Sequence, residues 1–211
     1  MKRIYLSIVV LLCSSSAVFA FGEQKNIDVK ITGGYASYPD RPGFGMTADY
    51  QWVLDPFFST GLETGFFWVS WKENRGKALV GQSNANLKAT TNAFSIPVLA
   101  IAQVRLQNIK EKLNILPYAT IGLGYSFMPI SYSDPSYTDS NGTEHRSQKL
   151  NQLYHGFTWE LIAGAAYSPV GSKIDFFGEF GYIGSNLSRG NLDIDMSRYV
   201  ISAGVRFAFS N

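Results

Sequence analysis

Two histidines, His145 and His155, are the side chains of this sequence best suited to proton transfer near neutral pH. Acyl hydrolysis would need a hydroxyl within reach of one imidazole nitrogen and a carboxylate to orient the ring. Glu160 follows His155 five residues on, but neither histidine sits in a local catalytic signature. His145, between Glu144 and Arg146, reads as a solvated patch, and histidines so far apart give no metal-ligand spacing. Asn141-Gly142-Thr143 has the form of a glycosylation acceptor and reads as a plain turn. The one cysteine, Cys13, is preceded by Leu12 rather than by the small residue a lipidation box requires, so it reads as an apolar filler. With no thiol after it, disulfides, thiolate zinc and cysteine catalysis drop out. These residue types imply no catalytic group, cofactor or metal.

The elements that carry them read as strands in a particular setting. Met1–Ala20 has a basic start at Lys2 and Arg3, a short apolar run and Val18-Phe19-Ala20 as a cleavage signal, so a secretory signal peptide is expected over 1–20. Its apolar run is shorter than the ~20 residues of a spanning helix. Of 18 basic and 16 acidic residues, Lys2 and Arg3 belong to that leader, which leaves the remainder neutral. The basic residues are scattered among carboxylates, which argues against nucleic-acid binding. From residue 21 onward, period-2 alternation predicts eight strands near 27–37, 43–54, 57–71, 92–106, 114–128, 152–168, 173–185 and 197–209. The connections Asp55-Pro56, Gln107–Lys112 and Val170-Gly171-Ser172 are short, while Lys72–Thr91, Pro129–Asn151 and Asn186–Met196 are long and polar; the first outer loop, Tyr38–Pro42, is short. One domain over 21–211 is expected, with nothing further after the last strand.

The two faces of these strands differ in kind. One carries bulky apolar residues, among them Tyr35, Met46, Tyr50, Leu62, Phe66, Trp68, Val98, Leu123, Trp159, Leu161 and Phe180. The opposite face carries Lys30, Thr32, Asp49, Gln51, Glu63, Gly65, Gln103, Arg105, Thr120, Glu160, Asp175, Glu179, Arg198, Ser202 and Arg206. A soluble barrel would place the large residues inside; here the small and charged face suits a narrow polar lumen and the large face suits lipid. The expected fold is therefore an all-β, eight-stranded antiparallel up-and-down transmembrane barrel. A lumen network of Lys30, Asp49, Glu63, Arg105, Glu160, Glu179 and Arg206 is expected, in which the glutamates are offset by Lys30, Arg105 and Arg206. Aromatics near strand ends, such as Trp52, Phe127, Tyr167, Tyr199 and Phe209, suit the membrane boundary. An eight-stranded barrel is filled by its own side chains, so a wide diffusion channel is not expected.

Four segments together resemble a known family: Ser95-Ile96-Pro97-Val98-Leu99, Leu116 to Tyr125, Gly164 to Tyr167, and Ala203 to Phe209. They are similar to the outer-membrane protein beta-barrel domain family of Gram-negative and related bacteria, a porin-like group of small barrels. The last strand is similar to that family's assembly signal, with Tyr199, Ile201, Val205, Phe207 and Phe209 as the presented edge, followed here by Ser210 and Asn211. The resemblance implies partners in periplasmic chaperones, the barrel assembly machinery and outer-membrane lipids, and a host or environmental ligand at the outer loops. The expected function is a non-enzymatic integral outer-membrane barrel presenting surface loops. Two alternatives stand beside it. One is a lipid-modifying enzyme built around His155, by analogy with outer-membrane lipid-A deacylases whose His-x-Ser spacing is missing here. The other is a soluble lipocalin-like binder, which would need an apolar cavity where this chain places charges.

Overall fold

The computed structural model describes residues 24–80, 83–138, 143–169 and 171–210. The leader 1–20 with Cys13, Asn141-Gly142 and the side chain of His145 lie outside the described residues. In chain order the elements are β1 (Gln24–Ala36), β2 (Arg41–Val53), β3 (Phe58–Val80), β4 (Ser83–Arg105), α1 (Gln107–Leu113), β5 (Ile115–Ser133), β6 (Tyr137–Thr138), β7 (Glu144–His145), β8 (Lys149–Tyr167), β9 (Ile174–Arg189), β10 (Leu192–Asp195) and β11 (Arg198–Ser210).

Eight of the strands pair in order, all antiparallel, and β11 returns to β1 in unbroken register from Gln24↔Ser210 to Ala36↔Arg198. Closure leaves the staves without a free edge across the membrane, as backbone groups in hydrocarbon require. Exposure alternates residue by residue along β5 and β8. Phe58, Leu62, Phe66 and Trp68 of β3 face outward, and the threonines between them donate their hydroxyls to strand carbonyls, Thr60 to Ile101 at 3.0 Å and Thr64 to Pro97 at 2.9 Å. These lipid-facing hydroxyls are thereby satisfied without water. From Phe58 to Trp68 the band is about 25 Å tall once strand tilt is allowed for, matching a transmembrane barrel's apolar belt. Tyr50 and Trp52 pack edge to face, 4.8 Å between ring centroids, at the end that carries the chain termini; Phe44 and Trp68 do the same at 5.0 Å near the opposite rim.

At that terminal end the predicted strands meet the observed ones within a few residues. The opposite, outer ends run longer. β3 and β4 remain paired from Lys72↔Thr90 to Val80↔Ser83, with one irregularity between Asn74 and Gly76. The segment read from sequence as a loop over Lys72–Thr91 is therefore a hairpin reaching about 30 Å past the apolar band at ~3.3 Å per residue. Likewise Pro129–Ser133 and Lys149–Asn151 belong to β5 and β8, and Asn186–Arg189 to β9. The signal weakens there for a physical reason: above the membrane the outward face no longer meets lipid, so pairing persists without the apolar outer residues that mark a membrane strand. Gln107–Lys112, expected as a plain turn, lies in α1, which ends on Asn114 in the left-handed region at φ 55 with its N–H bonded to the Lys110 carbonyl.

Candidate functional site

Two ends and an interior could carry function, and the interior is densely occupied. Nearest the termini, Arg206 grips Asp28 through Nε at 2.8 Å and Nη2 at 2.6 Å. Asp28 and Arg206 lie directly opposite each other in the β1–β11 register, so this bidentate pair sits on the seam that closes the barrel. Gln51 donates to Asp28 at 3.2 Å, and the Arg206 guanidinium lies over the rings of Tyr118 and Phe177, 5.2 and 5.7 Å from their centroids. Arg105 donates to the side-chain amide oxygens of Gln103 at 3.0 Å and Gln51 at 3.3 Å.

One layer further out, the Lys30 ammonium donates to Asp49 at 3.3 Å and Glu63 at 2.8 Å and stands 3.1 Å from Glu179. Tyr118 donates to the other oxygen of Glu179 at 2.9 Å. Two glycines make room for this layer. A Cβ on Gly122 would lie 2.6 Å from Cγ of Glu160, and one on Gly164 would lie 2.5 Å from the Tyr118 ring. Glu160 is buried, with Oε1 unpartnered among the described residues, beside a cavity of about 20 Å³ also lined by Glu63, Arg198 and Lys30. That volume matches a single water. Above it Thr32 and Ser202 share a hydrogen bond at 2.9 Å, and Thr158 joins Ser126 at 2.7 Å and Ser185 at 2.9 Å.

Of the lumen residues named from sequence, Lys30, Asp49, Glu63 and Glu179 come together, and Glu160 stands beside them. Arg105 and Arg206 form a separate layer and touch none of the glutamates among the described residues. Asp28, the partner of Arg206, was missed by sequence reasoning; its place two residues before Lys30 on the inward parity was the available signal.

The outer half of the lumen departs from the polar interior expected. Ala36, Phe67, Val69, Trp71, Ala93, Met128, Ile130, Tyr154, Leu187 and Met196 form one buried cluster. Met196 reaches it because β10 folds back along β9 and the Met196 N–H bonds the Ser185 carbonyl at 2.8 Å, drawing the end of the outer connection into the barrel. Arg198 stacks 4.5 Å over Phe67 at the floor of this plug. Bulky apolar residues were assigned to the lipid face because most lie there, but the same parity that turns Glu63 inward turns Phe67, Val69 and Trp71 inward as well.

Above the plug is an open mouth of about 270 Å³ walled by Tyr38, Trp71, Tyr132 and Tyr154. Tyr38 meets Trp71 edge to face at 5.7 Å, the indole N–H donates to Glu73 at 3.0 Å, and Tyr154 donates to Gln152 at 3.1 Å. Partial burial, then the Glu73 carboxylate, then Tyr154 raise the Tyr38 phenol above its ordinary pKa. At the other end a vestibule of about 540 Å³ opens between Arg105, Lys110, Asp55 and Asp175. His155 lies on the outer wall, its Nδ1 paired with the Tyr125 hydroxyl at 2.5 Å and the two rings stacked. Glu160 lies on the inner face of the same strand, so the wall separates it from His155.

A closed eight-stranded barrel with a lipid-facing apolar belt and a filled, charged interior defines an integral outer-membrane protein. The chain belongs to the outer membrane protein beta-barrel domain family, whose pattern matches residues 6–207. A search of curated proteins found no match. Among solved structures it is similar to the outer membrane protease OmpT of Escherichia coli, with 9% identity, a TM-score of 0.52, and 88% of this chain and 97% of that one covered. It is also similar to a major outer membrane protein of Thermus thermophilus, with 13% identity, a TM-score of 0.51 and coverage of 88% and 99%. Neisserial surface protein A has 14% identity, a TM-score of 0.49 and coverage of 88% and 96%. At such identities the likeness is one of fold.

Proposed function

We propose that this protein is a non-enzymatic outer-membrane barrel that holds strands and loops above the membrane for surface contact. The observation that carries this reading is the continuation of β3 and β4 well past the apolar belt, on a barrel whose lumen is occupied by paired charges below and an apolar plug above. A filled lumen suits a rigid pedestal better than a diffusion pore. The separation of His155 from Glu160 by the barrel wall favours a non-catalytic role for that histidine. In this reading Met1–Ala20 directs export, and the last strand engages the assembly machinery.

The test shortens the hairpin by replacing residues 74–88 with an Asn-Gly turn, which joins the paired residues Glu73 and Ala89, and compares cells carrying each form. The shortened protein should keep its heat-dependent gel mobility and lose attachment of the cells to host or abiotic surfaces. Unchanged attachment would overturn the presenting role. A changed lipid A mass profile in His155→Ala cells would favour the lipid-modifying alternative instead.

A further inference from the structure

We propose that the outer wall formed by β3, β4, β5 and β8 is a docking surface for the phosphate-bearing head group of an outer-leaflet lipid, engaged by Lys72, Lys88 and Lys149. The inference goes beyond the surface role above and takes from it only which end faces outward. Strand register carries it. On the outward parity the apolar belt ends at Trp68, paired with Phe94, and at Leu153, paired with Pro129. Two residues further out the same parity sets Ser70 opposite Asn92, Asn92 opposite Ser131 and Ser131 opposite Asn151. Two residues beyond that it sets Lys72 opposite Thr90, Thr90 opposite Ser133 and Ser133 opposite Lys149, with Lys88 one step higher on β4. Belt, small polar row and lysine row thus follow one another on one continuous wall, and all three lysines are exposed.

Height and sign agree with that occupant. At ~3.3 Å per residue and a tilt of about 40°, Ser70 and Asn92 stand about 5 Å above Trp68 and Lys72 about 10 Å. The polar layer of a bilayer adds roughly 5–8 Å to each side of the hydrocarbon, so the small polar row lies within it and the lysine stems can lean back onto it. Three strand spacings, about 14 Å, separate Lys72 from Lys149, with Lys88 between them. No carboxylate lies on these rows. Glu73 takes the opposite parity and accepts from the Trp71 indole, while Asp134 follows the end of β5 and accepts from the Tyr132 hydroxyl. Elsewhere on the outer rim the exposed charges are of both signs: Asp40 precedes Arg41, and Arg189 and Asp193 sit on paired strands. An ammonium binds phosphate as a point charge, and serine, threonine and asparagine offer hydrogen bonds to ester and sugar oxygens. Continuity with the belt selects a lipid over a soluble phosphate, because acyl chains lying on Trp68, Phe94 and Leu153 would hold their head group at this height.

The experiment folds residues 21–211 in a nonionic detergent and titrates lipid A, or lipid A stripped of its phosphates, with retention read by native mass spectrometry. Lipid A should be retained, and the stripped lipid should bind at least about tenfold more weakly. Lys72→Gln, Lys88→Gln and Lys149→Gln should each weaken lipid A about fivefold and together on the order of a hundredfold, the factor expected of lysines near an anionic surface. A control triple variant at the terminal end, Lys25→Gln with Lys110→Gln and Lys173→Gln, removes the same charge and should bind as the parent does. Inorganic phosphate in large excess should leave lipid A bound. Heat-dependent gel mobility checks that each variant folds. Equal binding of the stripped lipid, parent-like binding by the outer triple variant, an equal loss in the control, or displacement by inorganic phosphate would each overturn the proposal. Because the readout is lipid retention in micelles, its failure is distinguishable from failure of surface attachment in cells.

Discussion

Substituting Arg206 by methionine tests whether the seam pair holds the barrel closed. The change keeps an apolar stem against Tyr118 and Phe177 and removes both N–H bonds to Asp28, leaving a carboxylate buried with its charge unpaired. Removing one partner of a buried ion pair costs about 3–5 kcal/mol, because the other charge is stranded away from water. Asp28 keeps the bond from Gln51 at 3.2 Å, so the expected loss lies near the lower figure, about 3 kcal/mol, or roughly a hundredfold in the folding equilibrium. Adding Asp28→Asn to the same chain removes the stranded charge, and about 2 kcal/mol should return. The assay is reversible urea unfolding of residues 21–211 in lipid vesicles, followed by tryptophan fluorescence and by heat-dependent gel mobility. A loss below about 1 kcal/mol in Arg206→Met, the size of an exposed pair, would refute the reasoning. So would a double variant no more stable than the single one.

On the lipid face, Leu62→Lys places a charge near the middle of the apolar band and should cost about 2–4 kcal/mol in the same unfolding assay, whereas Lys72→Leu above the band should change little. In the plug, Met128→Ala removes a fully buried side chain and should cost about 2–5 kcal/mol while planar-bilayer recordings stay closed, because the charged layers beneath still fill the bore. Deleting residues 199–211 removes the strand that meets both β1 and β9, and the remaining chain should fail to reach the membrane fraction in a heat-modifiable form.

How far the sequence reached varies along the barrel. Within the membrane, lipid outside and a tight polar bore inside impose opposite demands on successive residues, so the alternation through Glu63 and Leu62 or Glu160 and Leu161 revealed both strand and facing. Above the membrane the lipid side of that demand vanishes, and the pairing of Lys72–Val80 with Ser83–Thr90 left no periodic trace. His155 illustrates the same limit in a single residue. Alternation with the inward Glu160 puts it on the outer wall, yet its contact with Tyr125, a diagonal neighbour on the adjacent strand, depends on the β5–β8 register and on nothing local in the chain.

By itself, then, the chain determined its number of membrane strands, which face meets lipid, and that charges of both signs line the bore. Period two assigns a residue to a face, and nothing more is needed for those conclusions. It does not assign height or azimuth. Only the closed barrel, with β11 laid against β1 in one register, decided that Arg206 meets Asp28 rather than a glutamate, that Lys30 gathers Asp49, Glu63 and Glu179, and that Phe67, Trp71, Met128 and Met196 converge into a plug beneath an open mouth. Those neighbours come from strands far apart in the chain, and their meeting is a consequence of shear and closure.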